Sequence, residues 1–256
     1  MKHKNLTFHI CLFFLGMAGI LSLLFVPFNL EVLPPEIRDL VLKEFTEFQL
    51  RILSLVNPVI LLLISLLIGF FVNKNQPKFS YLYSKISKIP NRKNILFYLF
   101  IGLLFGFAAF AIMGILYLPI KDLPQMQVLE NNTQIAEPPL ITKIFYGGIT
   151  EEIIVRWGWL SLILFICNKL FKKEKISIIL AILISSLMFG LGHLPIVFQS
   201  LGDSINVFII FYIIIFNAIG GIIFGYLFLK HNLETAMFAH IFFHVFTFLF
   251  NLIFMS

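Results

Sequence analysis

The chain has 256 residues, of which 59% are hydrophobic and 12% charged, with a formal net charge of +6. About a quarter of the residues of a soluble domain are charged, so this composition, with a mean hydropathy of +0.97, excludes a soluble globular protein and indicates a polytopic membrane protein. Excess Lys and Arg in such a chain mark the cytoplasmic loops and carry no sign of nucleic-acid binding.

Apolar runs of roughly 17 to 25 residues can cross the hydrocarbon core. Seven occur, at approximately 8–28, 52–72, 95–119, 142–168, 176–197, 205–229 and 234–254. The predicted fold is all-α, a polytopic transmembrane helical bundle of about seven to eight helices. The eighth would arise if the amphipathic stretch 140–150 formed a separate or kinked piece. The opening "MKHK" and the apolar run behind it resemble a signal peptide, but the run is long enough to span and the small-residue cleavage pattern is weak. It reads as an uncleaved first helix. The cysteines, Cys11 and Cys167, lie in apolar runs without metal-motif spacing. No soluble domain, low-complexity segment or internal repeat is visible.

Loop charges predict the orientation. Lys74, Lys78, Lys85, Lys88, Arg92 and Lys93 share one loop that carries no acid. Lys169, Lys172, Lys173 and Lys175 lie in the next basic loop, and Lys230 follows the sixth run. With Lys2 and Lys4 these predict a cytoplasmic N-terminus. The more acidic loops at 31–51 and 120–140 fall on the other side.

Three clusters of ionisable residues lie inside the apolar runs, where such groups are expensive and point to function. In "GGITEEIIVRWGWL", Glu152 and Arg156 are four apart, with the acid first, which suits pairing along an α-helix. Glu151 is turned about 100° away on such a helix and is left free for chemistry. In "FGLGH", Phe189 and His193 share a face, and Gly190 and Gly192 remove bulk. Taken alone, His193 reads more readily as a helix–helix hydrogen-bonder. In "AHIFFH", His240 and His244 are four apart. They could ligate a metal, donate to an oxyanion, or simply pack. Ile241 stands where the zinc-protease motif H-E-x-x-H has its glutamate. Together the clusters supply a base, a partner for its proton and donors for a developing negative charge.

These residues resemble the CPBP family of intramembrane proteases, which includes the CAAX prenyl endopeptidases and bacteriocin-processing or self-immunity proteins. The family pattern E-E-x-x-x-R is matched by Glu151, Glu152 and Arg156, and F-x-x-x-H by Phe189 and His193. The final H-x-x-x-N begins at His240, preceded by Gly221 and Gly225. The resemblance covers roughly residues 140 to 250. It implies a glutamate-dependent endopeptidase whose catalytic residues are Glu151, His193, His240 and His244. Glu151 would activate the water, His193 would assist it, and His240 with His244 would hold the oxyanion. Glu152, Arg156 and Phe189 would be structural support. The family often has Asn where this chain has His244, which reopens a metal reading: His193, His240 and His244 could hold zinc, with Glu151 as base or fourth ligand. No other cofactor is implied.

The expected organisation is one integral membrane domain, with N-terminal helices and loops over residues 1–139 and a CPBP-like catalytic helical core over 140–256. The expected partners are a peptide or membrane-protein substrate and the lipid bilayer, and the oligomeric state is open. Abundant Ile, Lys, Asn and Phe suggest an AT-rich genome and a bacterial cell membrane. The alternative is a non-catalytic membrane immunity or scaffold protein that keeps the fold. A proton relay is less well matched, because no inverted repeat or pair of broken helices is seen. One geometric difficulty stands: on straight helices at ~1.5 Å per residue, His240 lies about 10–12 Å from the basic end and His193 about 25 Å.

Overall fold

The computed structural model of the protein describes residues 2–27, 35–74, 79–90, 93–133 and 138–254. Seven helices among them are long and apolar enough to cross a membrane: His3–Phe25, Glu47–Val72, Ile95–Tyr117, Leu140–Leu170, Glu174–Phe198, Val207–Lys230 and Leu233–Phe254, here the first to seventh spans. No strand occurs among the described residues. The protein is therefore an all-α, multi-pass integral membrane protein. Its seven described spans match the seven apolar runs, and residues 140–150 form the start of the fourth span rather than a separate eighth helix.

Lipid tails are as apolar as leucine side chains, so close packing and hydrogen bonds between helices replace much of the hydrophobic drive. Small residues set these approaches. Thr150 Oγ1 of the fourth span donates to Gly16 O of the first over 2.8 Å, and a Cβ on Gly19 would collide with Thr150 Oγ1 and the Phe145 carbonyl. Gly102 and Gly106 let the third span lie against the seventh at Phe238, Ala239 and Phe242. The centre is filled by Trp157, wholly buried with Phe8, Leu12, Leu62, Ile153 and Leu160 around it. Trp157 Nε1 donates to His9 Nε2 over 3.2 Å, and His9 Nδ1 donates to the Asn5 carbonyl over 2.8 Å. Both nitrogens of this buried histidine are thus engaged, which makes it part of the packing.

The fourth span is wound differently from a simple α-helix. After one α turn at Leu140–Thr142, Lys143–Glu151 and Ile153–Leu160 are π-helical, and Ser161–Leu170 returns to α. Such i→i+5 winding is rare and tends to occur at functional sites. Two hydroxyls follow the same period: Thr150 Oγ1 lies 3.4 Å from the Phe145 carbonyl and Ser161 Oγ 3.0 Å from the Arg156 carbonyl, each five residues back. The 100° step expected between Glu151 and Glu152 belongs to an α-helix and is replaced here by a smaller one.

The basic segments gather at one end of the bundle. Lys4 Nζ donates to Ser87 O over 3.2 Å, which ties the start of the first span to the loop before the third. In that loop Lys78 and Arg92 lie outside the described residues, as does part of each acidic loop. The same loop covers the start of the seventh span. Glu234 accepts hydrogen bonds from Ser80 Oγ, Tyr81 N and Leu82 N at 2.7, 2.8 and 2.9 Å. Asn232 and Leu233 are buried beneath it. The seventh span therefore begins below the end of the bundle, which carries His240 inward and removes the depth mismatch expected from straight, full-length helices. At the opposite end a small second core joins Met126 and Leu129 to Val197, Leu201 and Ile209.

Candidate active site

Glu152 and Arg156 project from the π-wound part of the fourth span into the bundle, and both are fully buried. Arg156 Nε donates to Glu152 Oε2 over 3.0 Å, and Nη2 to Oε1 over 3.5 Å. The pairing expected from the four-residue spacing is present despite the altered winding. A third partner, not visible in the sequence, joins them. His240 Nδ1 lies 3.0 Å from Glu152 Oε1, and since an ionised carboxylate can only accept, the nitrogen donates. Two buried charges with only each other for company would sit uneasily in a low dielectric. Here the carboxylate holds three donors, while Arg156 Nη1 has no hydrogen-bond partner among the described residues.

Aromatic rings fix this trio. Phe224 of the sixth span stacks on His240 with centroids 4.6 Å apart, and His244 stacks on its other side at 4.8 Å. Phe189 stands under the Arg156 guanidinium, with Cζ 5.2 Å from the ring centroid. The edges of His193 and His240 approach the same ring at 4.7 and 6.1 Å. Phe189 is thus the side chain through which the fourth, fifth and seventh spans meet. The stacked histidines need room on the fourth span, and Gly147 supplies it: a Cβ there would stand 2.8 Å from His244 Nε2 and 3.8 Å from His240 Nε2.

Glu151 faces a different way. It lines a cleft of ≈ 280 Å³ with Tyr146, Trp159, Phe189 and His193, and has no ion pair among the described residues. His193 sits where the straight part of the fifth span ends, with Pro195 starting the next helix. Its Nδ1 donates to the Phe189 carbonyl over 2.8 Å, so in the neutral ring Nε2 carries the lone pair. Leu61 of the second span and Met188 of the fifth also line the cleft and are exposed on the apolar perimeter.

The structure therefore brings Glu151 and His193 to one cleft, and His240 to the Glu152–Arg156 pair with His244 stacked behind. It does not gather a zinc site. No cluster of three His, Cys, Asp or Glu donors able to hold a metal occurs among the described residues. The side chains as arranged do not fit the zinc set His193, His240, His244 and Glu151, and no step below runs through a metal. Tyr146 is a site residue the sequence reading missed. It lies five residues before Glu151, a spacing that shares a face only once the π winding is known.

An apolar bundle that buries glutamate, arginine and histidines around a cleft open to its perimeter defines a membrane protein with an active-site-like interior. Residues 136–246 match the family model of the type II CAAX prenyl endopeptidases, Rce1-like. This match, which reaches into the seventh span, supports the CPBP/CAAX protease family and, at family level, an intramembrane CAAX-type protease. No curated protein and no solved structure matches the chain.

Proposed function

We propose that the protein is an endopeptidase that hydrolyses a peptide bond with a water activated by Glu151 inside the bilayer. The observation that carries this reading is the sharing of one cleft by Glu151 and His193, from two spans, while the neighbouring Glu152 is committed to Arg156 and His240. A carboxylate without a cationic partner is available to take a proton from water. The lone pair on His193 Nε2 can hold the same water by its second hydrogen.

Attack of the water oxygen on the carbonyl carbon transfers one proton to Glu151 and moves the negative charge to the carbonyl oxygen. We assign His240 and His244 as donors to that oxyanion. His240 already gives its Nδ1–H to Glu152, so donation from Nε2 requires the imidazolium. Collapse breaks the C–N bond, and Glu151 returns the proton to the departing amine. Glu152, Arg156 and Phe189 are support: they set the position of His240.

The perimeter exposure of Leu61 and Met188 supports entry of a peptide or membrane-protein substrate from the lipid side. Residues 140–256 form the catalytic core in this reading and 1–139 the helices that brace it. The clustering of basic loops supports a cytoplasmic N-terminus, and the composition supports a bacterial cell membrane.

The test compares peptide termini in membranes of cells carrying the wild type or Glu151→Gln. Termini that appear only with the wild type are expected and would name the substrates. Identical termini, with a biological effect that both forms still support, would replace the reading with the non-catalytic immunity or scaffold alternative.

A further inference from the structure

Tyr146 lines the same cleft as Glu151 and His193. It makes no hydrogen bond to the described residues, although the ring is partly buried and stands close enough to Glu151 to interact with its charge. Tyr and Trp hydroxyl and N–H groups within a protein usually find a partner, and Trp157 and Tyr83 do so here. A free phenol beside the proposed base is therefore a donor with no protein acceptor to serve.

Its position follows from the winding of the fourth span. On a helix bonded i→i+5, the residue five positions back lies close to the same face, so Tyr146 flanks Glu151 on the cleft side. Gly147, four back, lies against His240 and His244. In the cleft Glu151 is thus bracketed by His193 and the Tyr146 side chain.

From this bracket we infer that Tyr146 is a further catalytic residue, donating its O–H to the carbonyl oxygen of the scissile bond as that oxygen becomes an oxyanion. The inference rests on the Glu151 reading. In the attack step the proton passes from water to Glu151, and the negative charge moves from its carboxylate to the carbonyl oxygen. A donor that lines the same cleft as the first site is placed to serve the second. The phenol keeps its own proton throughout. When the tetrahedral carbon expels the amine, the carbonyl reforms, the hydrogen bond weakens and Tyr146 is unchanged. Loss of one oxyanion donor typically costs about 10²–10³ in kcat.

The experiment takes a peptide whose cleavage depends on Glu151 in the membrane comparison above and converts it to a fluorescence-quenched probe. Turnover is measured with the full chain in lipid vesicles. Tyr146→Phe keeps the ring and removes only the hydroxyl. A fall in kcat of about 10²-fold is expected, with KM within twofold and the unfolding temperature unchanged. Installing 3-fluorotyrosine at 146 is the second variant, and its more acidic phenol should change kcat while leaving folding alone. Wild-type kcat in both variants overturns the inference and leaves the Glu151 reading intact. If no terminus depends on Glu151, that reading fails first and takes this one with it.

Discussion

Arg156→Ala tests how the buried trio is held. The guanidinium is wholly enclosed, bonds Glu152 at 3.0 Å and covers Phe189. Removing it leaves a fully buried carboxylate with His240 as its remaining hydrogen-bond partner. Breaking a buried pair by deleting one partner costs about 3–5 kcal/mol. The lower end applies here, because Arg156 Nη1 makes no hydrogen bond to lose and His240 Nδ1 still donates to the carboxylate. At roughly 2–4 °C per kcal/mol for a chain of this size, the unfolding temperature should fall by about 10 °C. The assay is thermal unfolding of purified protein in one detergent, read by intrinsic tryptophan fluorescence, with Trp157 close to the change. The double variant Glu152→Leu/Arg156→Leu removes both charges and should recover most of the loss, since replacing a buried pair by apolar residues is often neutral or better. It should remain inactive, because His240 then has no carboxylate to orient it. An Arg156→Ala protein that unfolds at the wild-type temperature would refute the claim that this pair stabilises the bundle.

Three further predictions test separate parts of the structure. Glu234→Ala removes the acceptor for Ser80, Tyr81 and Leu82, and should lower stability by about 1–3 kcal/mol for donors left unpaired; proteolysis should then open the loop around 79–88, and an unchanged digestion pattern would refute it. His231, between the sixth and seventh spans, is held below the usual histidine range by burial and then by the Lys230 charge. As pH falls through about 6.5, the unfolded chain takes up that proton before the folded one, so stability is lost on the acid side. The drop in unfolding temperature between pH 7.5 and 5.5 should shrink in His231→Gln, and an identical drop would remove His231 as its cause. Metal analysis of purified active protein should find no stoichiometric zinc, because no group of three His, Cys, Asp or Glu donors able to hold a metal occurs among the described residues. One equivalent of zinc that disappears with His193→Ala would overturn the donor assignment.

The spans were legible because each is a long apolar run, and a bilayer leaves such a run few alternatives to a helix. The Glu152–Arg156 pair was legible because both partners lie on one short stretch. The π winding was not, since an apolar helix pattern reads alike at either pitch, and Tyr146 stayed hidden with it. The bond from Glu152 to His240 spans 88 residues, and Glu234 meets Ser80 from 154 residues away. Contacts of that kind depend on how the spans pack, which local periodicity does not report. The depth of the seventh span was misread for the same reason: its first residues are covered by a segment far upstream.

That covering segment has a bearing on how the protein is made. The loop residues that clasp Glu234 leave the ribosome long before the last helix does, as do the glycine face of the third span and the opening in the fourth at Gly147. Chains generally assemble from the N-terminal side during synthesis, so the seventh span arrives at a seat already built from earlier parts. It completes the site by bringing in His240 and His244 together. A nascent chain stalled before residue 233 would hold Glu151, Glu152, Arg156 and His193 without either histidine of the last helix. On the proposed chemistry, hydrolytic activity would begin only once the seventh span has been made and seated.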